Sequence, residues 1–313
     1  MQVVGGYFGL ELNGGQHYHQ DAIRLNTARN CLEYILRAKK YKKVFIPYYT
    51  CEVLLEPFKK LGVAYEFYHL NELLDPVEQK ILQGDEAFLY TNYFGLKDET
   101  VMRLASLYKS KIIIDNAQAF YSAPLKGIDT IYSARKFFGV PDGAYLYTDM
   151  MIDISEQDVS HDRMSHLLKR IDIGAEEGYI DFQINDKTLI GQPIKKMSKL
   201  TDGLLAGVDY IKAKDKRIAN YKILDSKLRN KNNCQISRIP SAVPMIYPFQ
   251  TNDLTLRNKL MENKVFTAMY WPNVLQWCKP KDFEFNFTKN TIFIPVDQRY
   301  SQKEMNQILN YLI

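Results

Sequence analysis

The sequence predicts an α/β protein in two parts: a large domain on a mainly parallel sheet over residues 1–212, and a smaller C-terminal α/β domain over 213–313. Three observations carry this. From residue 44 to residue 115, short apolar runs alternate with segments of helical period, the pattern of a parallel sheet covered on both faces. Ile112-Ile113-Ile114-Asp115 reads as a buried strand ending in a charge. A second set of short strands and helices follows residue 235, beyond a long helical stretch. At 313 residues the chain is long enough for two domains sharing a substantial core.

In chain order, Gly5-Gly6 and Gly14-Gly15 punctuate residues 1–26 as turns. A helix starts near Thr27, where Cys31, Leu32, Ile35 and Leu36 recur at helical spacing and Asn26 or Thr27 can cap it. It ends in Arg37 to Lys43, cations that favour a helix C-terminus. Val44 to Pro47 is a strand, Glu52 to Leu61 a helix, Val63 to Tyr68 and Ala87 to Thr91 strands. Asp98 to Lys109 is a helix, and Lys111 to Asp115 and Ile128 to Tyr132 are strands. Gly143 to Thr148 forms one more strand with its own direction. Ser160 to Lys169 is read as helical, and Gly174 to Gly191, lacking a period, as a loop or hairpin. Met197 to Leu228 is helical, with Leu204, Leu205, Val208 and Ile211 facing a core. In the C-terminal part Val243 to Phe249 is an edge strand, because its two prolines cannot donate to a ladder. Leu254 to Asn263 is a helix, and Val265 to Met269 and Thr291 to Ile294 are strands. The last helix opens on a capping box, Ser301-x-x-Glu304, with Met305, Ile308, Leu309 and Leu312 on one face.

Composition narrows the function classes. Hydrophobic content of 46% and charged content of 25% are ordinary for a soluble globular protein. Net charge is +5, from 41 basic and 36 acidic residues, and one short basic run at a helix end does not make a nucleic-acid face. Residues 1–10 lack the basic start and apolar core of a secretion signal. No apolar run approaches the roughly 20 residues of a membrane span. Cys31, Cys51, Cys234 and Cys278 show neither a CxxC pair nor metal spacing, as expected of reduced thiols in a cytoplasmic protein. The Asn286-Phe287-Thr288 sequon is then a chance match. His17 and His19 form an HxH pair, but two histidines without a third ligand do not mark a metal site, and His69, His161 and His166 add no zinc pattern.

The chemistry concentrates in residues 112–145. Ligands of a parallel sheet bind at the carboxyl ends of its strands. This stretch puts Asp115, Gln118, Ser133 and Lys136 at neighbouring strand ends. The set suits pyridoxal phosphate, which needs an amine for its aldehyde and an acid for its ring nitrogen. A helix N-terminus such as that near Thr27 is a ready phosphate site.

Five segments carry a resemblance to a known family: LNTARNCLEYIL (25–36), VFIPYYTCEV (44–53), IIIDNAQAF (112–120), DTIYSARKFFGVPDGAYLYTD (129–149) and KKMSKLTDGLLAGVDYI (195–211). In order and spacing they are similar to the DegT/DnrJ/EryC1/StrS group of fold-type I aminotransferases, over most of the chain and more weakly after residue 230. The resemblance implies a fold-type I large domain with a seven-stranded, mainly parallel sheet. It implies a pyridoxal-phosphate enzyme, acting as a homodimer, that takes an amino group from a donor such as glutamate and gives it to a keto-sugar, usually nucleotide-linked. Carried over residue by residue, Lys136 holds the cofactor covalently and Asp115 pairs with the ring nitrogen. Gln118 sits near the ring hydroxyl. Ser133 binds the phosphate with the backbone at Arg29 and Asn30. Members of this fold that catalyse dehydration have histidine in place of the lysine, and Lys136 stands against that reaction.

The chain departs from the family in two places. Cys51 stands where the family often has an aromatic that stacks on the ring, leaving Tyr48, Tyr49 and Tyr93 as candidates. Gly191-Gln192-Pro193-Ile194-Lys195-Lys196 replaces a Gly-Tyr-Asn segment whose Asn reaches the partner subunit's cofactor, with Lys195 or Lys196 as an electrostatic substitute. These departures motivate a second reading, a non-catalytic or regulatory fold-type I scaffold.

Overall fold

The structure, a computed structural model, describes residues 4–236 and 242–313. Its large sheet holds β1 (Ile23–Leu25), β2 (Lys43–Pro47), β3 (Ala64–Tyr68), β4 (Glu86–Thr91), β5 (Ile112–Asn116), β6 (Asp129–Ser133) and β7 (Ala144–Tyr147). Their spatial order is β1-β7-β6-β5-β4-β2-β3, seven strands of which β7 alone runs against the rest. The helices are α1 (Ala28–Lys39), α2 (Leu55–Leu61), α3 (Asp98–Tyr108), α4 (Ser165–Asp172), α5 (Tyr179–Thr188), α6 (Lys199–Ala206) and α7 (Tyr210–Leu228). A two-stranded antiparallel sheet, β8 (Ile246–Gln250) with β9 (Thr291–Pro295), follows with α8 (Thr255–Glu262), α9 (Val274–Trp277), α10 (Phe283–Asn290) and α11 (Gln302–Leu312).

The strands are apolar on both faces because both faces are covered. Val44, Ile46, Ala87, Leu89, Ile113 and Ile131 pack under α1 and α2. The alternate residues Phe45, Phe88, Tyr90, Ile112, Ile114 and Tyr132 point the other way, toward α3 and the C-terminal part. A third core joins Leu224 and Leu228 of α7 to β8, β9, α8 and α11. The 212/213 boundary expected from sequence therefore falls within α7. Ser301 and Glu304 form the expected capping box on α11.

Three expectations are corrected. Residues 179–188 form helix α5 rather than a loop or hairpin; only Asn185 of that helix is buried, so no apolar face marked it. Val265 to Met269 is not a strand: Ala268 makes an isolated bridge to Phe293, and Val265 N–H closes the end of α8 on Leu260 O. The helical stretch after Met197 is two helices, broken at Gly207, where a side chain would meet Asn13 O at 2.9 Å. Asp209 then caps α7 by accepting from Lys212 N. Helix α10 and strand β1 were not legible. β1 is three residues long and owes its existence to β7, more than a hundred residues away.

The HxH pair pins the N-terminal segment to the sheet. His17 Nδ1 lies 2.7 Å from Tyr145 Oη, and His19 Nε2 lies 2.8 Å from Phe120 O. Burial pulls His19 down to about 4, so its ring is neutral at physiological pH. Among the described residues no three His, Cys, Asp or Glu side chains cluster as metal ligands, and no helix is long and apolar enough to cross a membrane. Cys31, Cys51 and Cys278 form no disulfide among the described residues.

Candidate active site

Strands β5 and β6 are parallel neighbours, with Asp115 opposite Ile131 and Asn116 opposite Tyr132. Their carboxyl ends therefore bring together Asp115 on one and Ser133 on the other. Asp115 is half-buried; its Oδ1 accepts from Ala117 N at 2.9 Å, and Thr91 of β4 sits beside it in register. Burial pushes its carboxyl above the usual range, opposed by the Ala117 amide and the Lys136 ammonium. Gln118, in the turn after β5, is buried. Its Oε1 accepts from Phe94 N at 3.1 Å, while its Nε2 has no hydrogen-bond partner among the described residues. An unfilled buried donor is costly and marks a place for an acceptor.

After Ser133 the chain makes a helical turn, Ala134–Lys136. The turn is held from several sides. Gly143 O accepts from Ala134 N at 3.1 Å, and Gly143 N donates to Asn26 O at 2.6 Å, which links the turn to the start of α1. Gly143 has φ +109°, and a Cβ there would lie 2.9 Å from the Thr201 methyl, so a larger residue is excluded. Buried Asp142 accepts from Ser198 N at 2.9 Å and from Ser198 Oγ at 2.8 Å, tying the same turn to the cap of α6. Lys136 emerges exposed, with Nζ 5.7 Å from the Tyr270 ring centre and no carboxylate partner among the described residues.

Helix α1 starts where the sequence placed it. Thr27 Oγ1 accepts from Asn30 N at 3.2 Å. That cap occupies the Asn30 amide and leaves those of Ala28 and Arg29 without an intrahelical partner. The Arg29 side chain is taken by Glu56 at 2.6 Å, and Asn30 Nδ2 donates to Gln192 O at 2.9 Å. Segment 191–196 lies across this helix start: Asn26 Nδ2 donates to Pro193 O, and Asn26 N to Lys195 O, each at 3.0 Å. Lys195 Nζ faces Glu156 at 4.0 Å.

Of the candidate rings, Tyr49 and Tyr93 are core residues, joined by Tyr93 Oη donating to Tyr49 O at 2.9 Å. Tyr48 stacks on Phe67 and His69. The ring that meets Lys136 is Tyr270, which sequence reasoning missed because it lies 134 positions later in the chain. Lys136 also borders a cleft of about 560 Å³ between its own turn, the α4–α5 pair and the C-terminal part, with Arg170, Tyr179 and Phe266 on the wall. Asp115, Gln118 and Ser133 are not on that wall.

No family model matches the sequence, and no curated protein matches it either. Solved structures do, each over 93% of this chain. They include a DegT DnrJ EryC1 StrS aminotransferase from Brucella abortus (13% identity, 84% of that chain, TM-score 0.61) and DesV from S. venezuelae (14%, 83%, 0.64). NtdA from Bacillus subtilis, with bound cofactor PMP, matches at 15% identity over 72% of its length with a TM-score of 0.65. The expected architecture is thus the observed one, and the chain has the fold of these fold-type I aminotransferases.

Proposed function

We propose that the protein is a pyridoxal-phosphate-dependent aminotransferase that moves an amino group from an amino-acid donor, glutamate by resemblance, to a nucleotide-linked keto-sugar. The observation that carries this is one constellation. A lysine amine without a carboxylate partner among the described residues and a carboxyl follow the ends of adjacent strands, and the Gln118 donor lies three residues beyond that carboxyl.

The residues present fit the cofactor. Lys136 offers the amine for its aldehyde, and Asp115 the negative charge for its ring nitrogen. Gln118 Nε2 suits the ring hydroxyl. Ser133, whose hydroxyl has no hydrogen-bond partner among the described residues, suits the phosphate together with the first-turn amides of α1. When bound, the cofactor supplies an electron sink. Asp115 keeps the ring nitrogen protonated. Lys136 Nζ serves as general base, taking the proton from the donor's Cα and later returning one to the acceptor.

The cleft beside Lys136 supports an anionic acceptor. Arg170 is exposed there with no ion-pair partner among the described residues; Arg135 is held by Asp186 at 2.6 Å, and its Nε and His166 Nδ1 have no hydrogen-bond partner among those residues. Desolvation, and then the Arg135 charge, hold His166 below its ordinary value.

The test is spectroscopic. Purified protein incubated with pyridoxal phosphate is expected to show a visible band that borohydride removes and glutamate bleaches. Nucleotide-linked keto-sugars then restore the band faster than the free sugars. A protein that stays colourless with added cofactor overturns the reading.

We also propose a homodimer. Leu168, Ile171, Ile180 and Ile184 on α4 and α5 are 54%, 81%, 69% and 54% exposed, an apolar face that a second copy would cover. Sedimentation velocity is expected to show a two-chain species; a monomer at micromolar concentration would refute it.

A further inference from the structure

Arg217 on α7 is among the largest fully buried side chains of the described residues, 1% exposed. No carboxylate among the described residues lies within ion-pair distance of its guanidinium. Instead the group is spent on carbonyls and one amide. Nε donates to Gln298 Oε1 at 2.9 Å, Nη1 to Met245 O at 3.2 Å, and Nη2 to Phe137 O at 3.2 Å. The guanidinium carbon also lies 4.4 Å from the Phe137 ring centre. Gln298 completes the arrangement by donating from Nε2 to the same Phe137 carbonyl at 2.7 Å.

Burying a charge without a direct ion pair is expensive: the nearest acid acting on it, Asp297, is taken by Arg299 at 2.6 Å, and an apolar side chain of similar volume would pack this site at lower desolvation cost. Packing alone therefore does not account for an arginine here. Burial pulls Arg217 down to about 10 from its ordinary 12.5, which still leaves it charged at neutral pH. What the charge gains is direction. Phe137 is the residue after Lys136. Its N–H is already fixed to Ala134 O at 3.0 Å, and its carbonyl receives both Arg217 and Gln298. The peptide groups that follow Lys136 are thus clamped to three elements of the C-terminal part: α7, the Met245 entry to β8 and the Gln298 exit from β9.

We infer that Arg217, with Gln298, is a positioning residue that sets the direction in which the Lys136 side chain leaves its turn and couples that direction to the C-terminal part. The inference rests on the aminotransferase reading, and its test separates the two. The cofactor-loaded wild type is compared with Arg217→Gln, Arg217→Lys and Gln298→Ala. The readouts are the pH midpoint of the visible band, single-turnover rates with glutamate, the thermal midpoint, and backbone hydrogen exchange at residues 134–138 in the cofactor-free protein.

Arg217→Gln is expected to move the band's pH midpoint and to lower the glutamate rate about ten- to a hundredfold at little changed KM. Exchange at 134–138 should speed up while that at 101–105 stays put. Arg217→Lys should recover part of each effect, and Gln298→Ala should shift the same readouts less. A folded, loaded Arg217→Gln protein with the wild-type midpoint, rate and 134–138 exchange, and only a lower thermal midpoint, would overturn the inference and leave a structural staple. If Arg217→Gln does not fold, Gln298→Ala decides on the same readouts. A wild type without a visible band defeats the aminotransferase reading. The exchange comparison then still decides whether the clamp orders the Lys136 turn.

Discussion

Replacing Lys136 with alanine is expected to leave a folded protein whose amino transfer from glutamate falls by at least about 10³- to 10⁴-fold, the upper range for loss of a general acid–base group. The fold should not notice. Lys136 is exposed, with Nζ 5.7 Å from the Tyr270 ring centre and no carboxylate partner among the described residues, so its stability cost belongs with ordinary surface substitutions, within about 0.5 kcal/mol. The turn around it is held by backbone and by its neighbours: Ala134 N to Gly143 O, Phe137 N to Ala134 O, and Arg217 on Phe137 O. None of these needs the lysine side chain. Single-turnover kinetics with glutamate, alongside a thermal melt, check both halves. An unchanged melt with the rate gone places the proton transfer on Lys136. A small primary amine added to the variant should return part of the rate, because it supplies the missing base without the tether. Retained transfer at the wild-type rate would remove Lys136 from the mechanism.

Asp115→Asn should separate stability from function. Asparagine keeps the shape and can still accept from Ala117 N, but it cannot hold a negative charge. Turnover is expected to fall about 10²- to 10³-fold, the scale for removing one electrostatic partner of the reacting charge. In the cofactor-free protein the sign runs the other way. Burial raises the Asp115 carboxyl above its ordinary 3.8, so between 3.8 and the folded value the native state binds more protons than the unfolded state. This contribution is therefore fully present below 3.8 and is lost as pH rises through the folded value. Above the folded value the cost of burying the ionised group, which Lys136 offsets only in part, weighs on the fold. Asp115→Asn without cofactor should accordingly melt at the same temperature as wild type or higher. Adding pyridoxal phosphate should raise the wild-type melt more than the variant's. A cofactor-free variant that melts well below wild type at neutral pH would contradict this account.

The candidate site was largely legible because its residues are local in sequence. Asp115 and Gln118 lie three apart in one strand-to-loop transition, and Ser133 to Lys136 in another. Parallel strands of a sheet must end on the same edge, so two such transitions on neighbouring strands converge without help from the rest of the chain. Thr27 was legible for the same reason: capping is settled within four residues, and Thr27 Oγ1 meets Asn30 N as the spacing required. The strands were legible because a strand buried on both faces is apolar at every position, as Ile112-Ile113-Ile114 is. Helix α5 was not, since its apolar residues face outward and leave no period against the core.

By itself, then, the sequence determined the α/β class, the order of the strands along the chain and the identity of the chemical groups at their ends. Those depend on short-range sterics and on the two-residue and 3.6-residue periods of burial. Only the tertiary structure decided what surrounds those groups. It brought Tyr270 to Lys136 and set Arg217 and Gln298 on the Phe137 carbonyl. It also laid residues 191–196 across the start of α1. Each of these joins segments tens to more than a hundred residues apart. Their partners are chosen by packing and by the satisfaction of buried polar groups, which leave no local pattern along the chain.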